Sequence, residues 1–449
     1  MINSVIAGLF LLHLELSYLL LMRQPQMQHN ELLHELLNNF NYLLHSDGFL
    51  EDYRVANHFV RRSALLMEKM VKFLLYSPKT SLSNKLEQLR ENLPDLDFPS
   101  VSKQALSKAR YGIRYELFQE FFEHSANFYY EHIMERKLWN DRYHIFAIDG
   151  STHEVPSSKS TFKEFGKQSD QKNPDLYWSM ALASVLYDVL EDVIVDAAIE
   201  KQFYSEREMS LRHLARLFVL GLENDSIVIF DRGYYSAEIY QEWVTAGCKV
   251  LMRLKKPNRL CSLDGDDVLD HVNAPDGTKI DCRVIKYTLS SGEIEYLITN
   301  VFDEDITKDM LGNLYFHRWK IETKYMELKE HWKIEEFTGT GALAVRQDFY
   351  IVMLQANLAS LIKHQADEII SSSAKSESKY IYAANRIFII GKVCRNLLRW
   401  ITIQISQSQL DEIVLEASKK RSQVRPGRSC KRKRRTRARK HYNNRKAAV

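Results

Sequence analysis

A chain of 449 residues, 45% hydrophobic and 11% aromatic, has enough apolar side chains for a sizeable core and two or three domains, which excludes global disorder. Its net charge of +4 hides an asymmetry: between Lys419 and Lys446 lie 15 of the 62 Lys and Arg and none of the 58 Asp and Glu, leaving residues 1–418 with a balance of −11. The five cysteines, Cys248, Cys261, Cys282, Cys394 and Cys430, are odd in number and show no CxxC spacing; neither a disulfide framework nor a zinc site is expected, and a reducing cytoplasm fits.

The first 22 residues, MINSVIAGLFLLHLELSYLLLM, are apolar enough to raise a membrane or signal-peptide question. His13 and Glu15 interrupt the run, no basic segment precedes it and no small-residue cleavage site follows. The expectation is an amphipathic packing helix, or a true start at Met22 or Met27, and no membrane association. Residues 1–140 are read as a helical N-terminal region, to which DNA binding is assigned only by the family resemblance that the later segments carry. Its helical segments are NELLHELLNNFNYLLH, a stretch around RRSALLMEKMVKFLLY, and a long run from SKQALSKARYGIR to ERKLW with Ser100 and Ser102 as candidate N-caps. Within it, Lys108, Arg110 and Arg114 are placed to meet DNA, although packing helices with surface charge have the same pattern.

At Tyr143 the pattern changes to short β-rich segments, YHIFAIDGS, WSMALASVLYDVL, EDVIVDAAIE, SIVIFDRG and CKVLMRL, with helices SEREMSLRHLARLFVLGL and SAEIYQEWVTAG between the later ones. Antiparallel strands followed by strand–helix–strand units predict an α/β fold with a mixed sheet covered by helices. Residues 257–302 alternate turn formers (DGDD, PDGT, SSGE) with strand-like KIDCRVIKYTL and IEYLITNVF and read as a small β-rich insertion. The core is then assigned to 141–256 and 303–372, a helical C-terminal region to 373–418, and a basic tail to 419–449. The tail's RSCKRKRRTRARKHYNNRK resembles segments that bind nucleic-acid backbones with strong salt dependence; a solubilising tail is the alternative.

Asp149 follows the apolar run HIFAI and precedes Gly150; Asp231 follows SIVIF and precedes Arg232-Gly233. Each is read as a carboxylate where a buried strand ends, the place where α/β sheets bind ligands. Taken singly, an Asp before Gly is also an ordinary turn residue or cap. The segment YFHRWKIETKYMELK adds a third acid. At about 100° per residue, Leu314, Ile321, Tyr325, Leu328 and Trp332 form a buried stripe, while Tyr315, Arg318, Glu322 and Lys329 form a polar stripe beside it. A carboxylate flanked by Tyr, Arg and Lys suits a phosphate-bearing ligand held by a metal ion, and three carboxylates from two strands and a helix suit Mg²⁺ or Mn²⁺, with room for two ions about 4 Å apart. Trp319 is expected to pack, with base stacking as the alternative; Arg232 and Arg253 have phosphate contact and salt bridging as equal options. No P-loop, dinucleotide fingerprint or HExxH is present.

IDGS at Asp149, FDRGYY at Asp231, and the Tyr, Arg, Glu and Lys spacing from Tyr315 through Arg318 and Glu322 to Lys329 resemble the three blocks of the insertion-sequence transposases of family four, a DDE group with a ribonuclease H-like core. Ser151 departs from the Thr of many relatives. The resemblance implies Asp149, Asp231 and Glu322 as catalytic metal ligands and Tyr315, Arg318 and Lys329 as contacts to DNA. It further implies double-stranded terminal inverted repeats and target DNA as partners, a homodimer on paired ends, a cytoplasmic, nucleoid-associated bacterial location, and for some relatives a hairpin step in which the β-rich insertion shapes flipped bases. A ribonuclease H-like nuclease that cuts without joining, and a domesticated DNA-binding protein without catalysis, are the rival readings.

Overall fold

The apolar runs of the middle third become strands because each is buried on both faces. In the computed structural model, which describes residues 26–60, 64–169, 177–289, 291–373 and 380–425, HIFAI is the inner half of β1 (His144–Val155), with Ile145 to Ile148 fully buried. The apolar first 22 residues, Cys430 and most of the basic tail lie outside the described residues. β1 pairs antiparallel with β2 (Tyr177–Asp188), which pairs antiparallel with β3 (Val193–Lys201). On its other side β1 runs parallel to β4 (Ser226–Phe230), and β4 parallel to β5 (Lys249–Arg253).

The order β3-β2-β1-β4-β5, three antiparallel strands followed by two parallel ones, is that of a ribonuclease H-like sheet. Parallel neighbours need crossovers, and α8 (Glu206–Val219) and α9 (Ala237–Thr245), numbered with the other helices below, supply them. The segment read as an insertion continues the sheet. β6 (Asp267–Asn273), β7 (Lys279–Thr288) and β8 (Ile294–Thr299) extend it in the order β5-β8-β7-β6, because Leu251, Met252 and Arg253 pair with Thr299, Ile298 and Leu297. β6 carries no apolar run, so its sequence reads only as turn residues; it is an edge strand, with Leu269 71% exposed, and an Arg283–Asp267 ion pair at 2.7 Å ties it to β7.

Before the sheet come α1 (His29–His45), α2 (Asp47–Asp52), α3 (Met67–Leu75), α4 (Leu82–Asn92), α5 (Lys103–Arg110) and α6 (Glu116–His132), and after β1 a short α7 (Lys159–Phe165). The run expected to be one long helix is two. Ser102 caps α5 by accepting from Ala105 N, but the chain turns at Gly112, where an added Cβ would lie 2.6 Å from the Phe59 ring. That turn carries Arg110 inward. Expected at a DNA-facing surface, Arg110 is instead 6% exposed and makes a 2.6 Å ion pair with Asp348, with further bonds to Gln347, Thr338 and the Ala344 carbonyl. Lys108 and Arg114 remain exposed.

Helix resumes at α10 (Lys308–Tyr315), followed by α11 (Trp319–Glu330), α12 (Ala342–Ser372), α13 (Arg386–Thr402) and α14 (Gln407–Lys419). The 31 residues of α12 are buried on nearly every face, as a helix must be when other elements surround it. Asn357 of α12 explains how a polar residue survives there: its amide donates to Ile194 O (2.9 Å) and Ser125 Oγ (3.1 Å) and accepts from Ile194 N (2.9 Å), joining β3, α6 and α12. A single hydrophobic core runs from Leu32 to Ala417. The basic stretch begins inside the fold, where Arg421–Val424 pairs antiparallel with Ile381–Ala384. No helix among the described residues is long and apolar enough to cross a membrane.

Candidate active site

Asp149 and Asp231 are brought together by strand register. Ile148 of β1 is paired with Phe230 of β4 in a parallel ladder, so the next residues, Asp149 and Asp231, leave adjacent strands side by side, about 4.8 Å apart by ordinary sheet spacing. β4 stops there and β1 does not. The expectation that both acids end strands is corrected for Asp149: β1 continues to Val155 because β2 keeps pairing with it as far as Val155↔Ser179. Gly150 therefore lies in a strand, not a turn. Its lack of a side chain matters for another reason, since a Cβ there would stand 2.8 Å from the carboxyl carbon of Glu206, the first residue of α8.

The segment read as one helix carrying Tyr315, Arg318, Glu322 and Lys329 is two helices joined by a 3₁₀ turn at Phe316–Arg318. The tighter turn places Phe316 edge-on to Tyr287 with centroids 5.9 Å apart and leaves Arg318 only 5% exposed. α11 is held from both sides. Tyr325 donates to the carbonyls of Asp149 (2.8 Å) and Ala183 (3.2 Å), while Lys324 pairs with Asp192 (2.6 Å), which also pairs with Arg386 of α13 (2.7 Å).

Arg318 is the hub. Its guanidinium lies 3.0 Å from Glu322 Oε1 and 4.0 Å from Asp231 Oδ1, and Tyr315 donates to the same Asp231 oxygen at 3.5 Å. Lys329, two turns beyond Glu322, donates to Ser151 Oγ and to the Thr152 carbonyl, both at 2.7 Å. All six residues singled out by the sequence thus lie around the end of β4 and the adjoining middle of β1. Burial pushes the Asp149 carboxyl up to about 7; Gly150 N–H and Arg318 oppose that, while Glu206 and Asp231 add to it. Hard carboxylate oxygens around one buried guanidinium are donors of the kind that divalent cations take.

Glu206 is the residue that sequence reasoning missed. It follows the Ser205 N-cap and reads as a routine first-turn acid; nothing in its spacing links it to Asp149. Trp319 is the reverse case, expected to pack but 49% exposed, with its ring 5.0 Å from the Arg318 guanidinium. It sits at the first position of α11, where the 3₁₀ turn swings it away from the core stripe. Arg253 takes the salt-bridge option, pairing with Glu295 at 2.8 Å; Arg232 is exposed beside Asp231.

Residues 140–358 match a family model described as a transposase DDE domain. Over 231 residues the chain is 24% identical to the transposase InsG for insertion sequence element IS4 of Escherichia coli (strain K12), covering 48% of this chain and 51% of that protein; the chain spans about half the length of this curated relative. Among solved structures it is similar to the piggyBac transposase synaptic complex with hairpin DNA, at a TM-score of 0.44 and 9% identity, over 84% of each chain.

Proposed function

We propose, from the match of residues 140–358 to the transposase DDE domain family model, that this chain is a metal-dependent DNA transposase. It binds terminal inverted repeats, cleaves the phosphodiester at each element end and joins the freed 3′-hydroxyl to target DNA. The observation that supports this reading is the matched register of Asp149 and Asp231 on adjacent parallel strands, with Arg318 lying 4.0 Å from Asp231 and 3.0 Å from Glu322. Asp149, Asp231 and Glu322 would hold the cations, two being the number that in-line phosphoryl chemistry favours. Bound divalent ions supply an activated oxygen nucleophile and stabilise the leaving oxygen. Arg318 and Lys329 offer positive charge to phosphates on either side of the scissile bond, and Tyr315 a hydroxyl donor. The test is purified chain, a terminal-repeat fragment, target plasmid and Mg²⁺: joined product is expected, whereas cleavage without joining would favour a nuclease.

The raised Asp149 carboxyl gives a pH signature. Its folded value of about 7 lies above the unfolded value of about 3.9, so in metal-free protein its contribution to stability is fully present below about pH 4 and lost as pH rises through about 7. A cation must displace that proton below pH 7. Mg²⁺ should therefore raise the unfolding temperature more at pH 8 than at pH 6, and Asp149→Asn should abolish the difference; equal shifts in the parent protein at both pH values would count against a metal at Asp149.

DNA binding by the basic tail is tested by ending the chain after Arg425, which keeps the Arg421–Val424 strand and removes 11 Lys and Arg. End binding should weaken and its log K against log salt slope should flatten by about 0.9 for each phosphate that the tail neutralises in the full chain; an unchanged slope removes the tail from the interface. Two chains per pair of ends is the expected assembly, checked by light scattering of the DNA complex, with one chain per pair refuting it.

A further inference from the structure

A second cluster, on other elements than the acidic site, has buried donor atoms facing one another. His29 opens α1, Glu191 lies in the turn between β2 and β3, and His364 is on α12; one ligand atom of each stands within 4.8 Å of the other two. Exposure is 9%, 0% and 6% respectively. His29 Nε2, Glu191 Oε2 and His364 Nδ1 are all buried without a hydrogen-bond partner, whereas buried side-chain polar atoms nearly always have one. The Lys137 ammonium and the Tyr129 hydroxyl border Glu191, so the two imidazole nitrogens, facing that carboxylate, are the atoms that most need a common cause.

The surroundings orient them. Glu368 Oε1 lies 2.9 Å from His29 Nδ1, which puts the proton on Nδ1 and turns the Nε2 lone pair inward, the arrangement that positions metal-bound imidazoles. The other Glu191 oxygen accepts from Lys137 N at 2.5 Å, and the Lys137 ammonium, 57% exposed, lies 3.6 Å from Oε2. Burial holds His364 well below the ordinary histidine range, hence neutral. The rings of His29 and His364 meet edge-on at 5.3 Å, so both can direct a nitrogen at one point. A cavity of about 730 Å³ lined by His29 and Glu368, and one of about 300 Å³ lined by Lys137 and His364, border the cluster.

We infer that His29, Glu191 and His364 form a transition-metal site, with Zn²⁺ the ion whose chemistry matches best. Two neutral imidazoles and one carboxylate make three protein ligands and leave a fourth position for water; Mg²⁺, which prefers oxygen alone, is a poor match. Ligand lengths of about 2.0–2.2 Å place tetrahedral donors roughly 3.4 Å apart, so the three close on an ion by shifts of about 1 Å. The ion would fasten α1 to the core, joining residues 162 and more positions apart in the chain.

The experiment uses the full chain carrying Asp149→Asn, Asp231→Asn and Glu322→Gln, so that the acidic site takes no part. After chelator dialysis and re-exposure, elemental analysis should give one Zn²⁺ per chain, Co²⁺ should show the visible bands of a four-coordinate site, and Zn²⁺ should raise the unfolding temperature. His364→Ala and, separately, His29→Gln should each abolish uptake, and Glu368→Gln should weaken it about 10- to 100-fold. Should His364→Ala fail to fold, His29→Gln, at the edge of the cluster, decides. Absence of stoichiometric Zn²⁺ in the parent, or equal uptake by His29→Gln, overturns the assignment.

Discussion

Under the proposed transposase reading, Glu322→Gln should bind terminal-repeat DNA as tightly as the parent chain and lose cleavage by at least ~10³-fold, beyond the ~10²–10³ that one electrostatic donor is worth. The substitution keeps shape and removes only charge. Glu322 lies on the half-exposed side of α11, and the residues that seat the helix, Ile321, Tyr325 and Leu328, are untouched. Arg318 keeps an uncharged amide oxygen as its acceptor, together with Asp231 and the Tyr315 ring beside it, so the fold should persist. Gel-shift affinity and a cleavage time course on the same preparation check both halves. Cleavage at parental rate would sink the assignment of Glu322 as a ligand; loss of binding along with cleavage would mean that its charge serves to place Arg318.

Arg110→Ala should lower stability by about 3–5 kcal/mol, the range for removing one partner of a buried ion pair. Asp348 would be left buried beside Thr338, whose N–H (2.6 Å) and hydroxyl (2.9 Å) it accepts. The guanidinium and the Thr338 N–H bond hold the Asp348 carboxyl below the usual range against the opposing effect of burial. The pair therefore contributes above the unfolded carboxylate value of about 3.9 and is lost as pH falls through the lower folded value. Urea unfolding at pH 7 and at about pH 2 measures it; a loss under about 1 kcal/mol at pH 7 would contradict a closed network, since that is the scale of surface pairs. Lys108→Ala, on the exposed face of the same helix, is the internal control.

The contrast between those two basic residues shows where sequence reasoning stops. In SKARYGIR, Lys108, Arg110 and Arg114 have equal claim to the surface, because helical period says which residues share a face but not what that face meets. Arg110 is internal only because Asp348, 238 residues away, is presented by α12. Gly150 is similar: a glycine after an aspartate reads as a turn, and its real constraint is Glu206 from another element.

By itself the sequence determined the order of the main helical and β-rich segments, the apolar runs that precede Asp149 and Asp231, and the spacing of Tyr315, Arg318, Glu322 and Lys329, since each depends on local propensity and period. Tertiary structure alone decided that β1 outruns β4, that the 257–302 segment extends the sheet, that Arg318 lies between two acids, and that His29, Glu191 and His364 converge. Such arrangements follow from which buried faces pair between segments distant in the chain, and no local pattern records that choice.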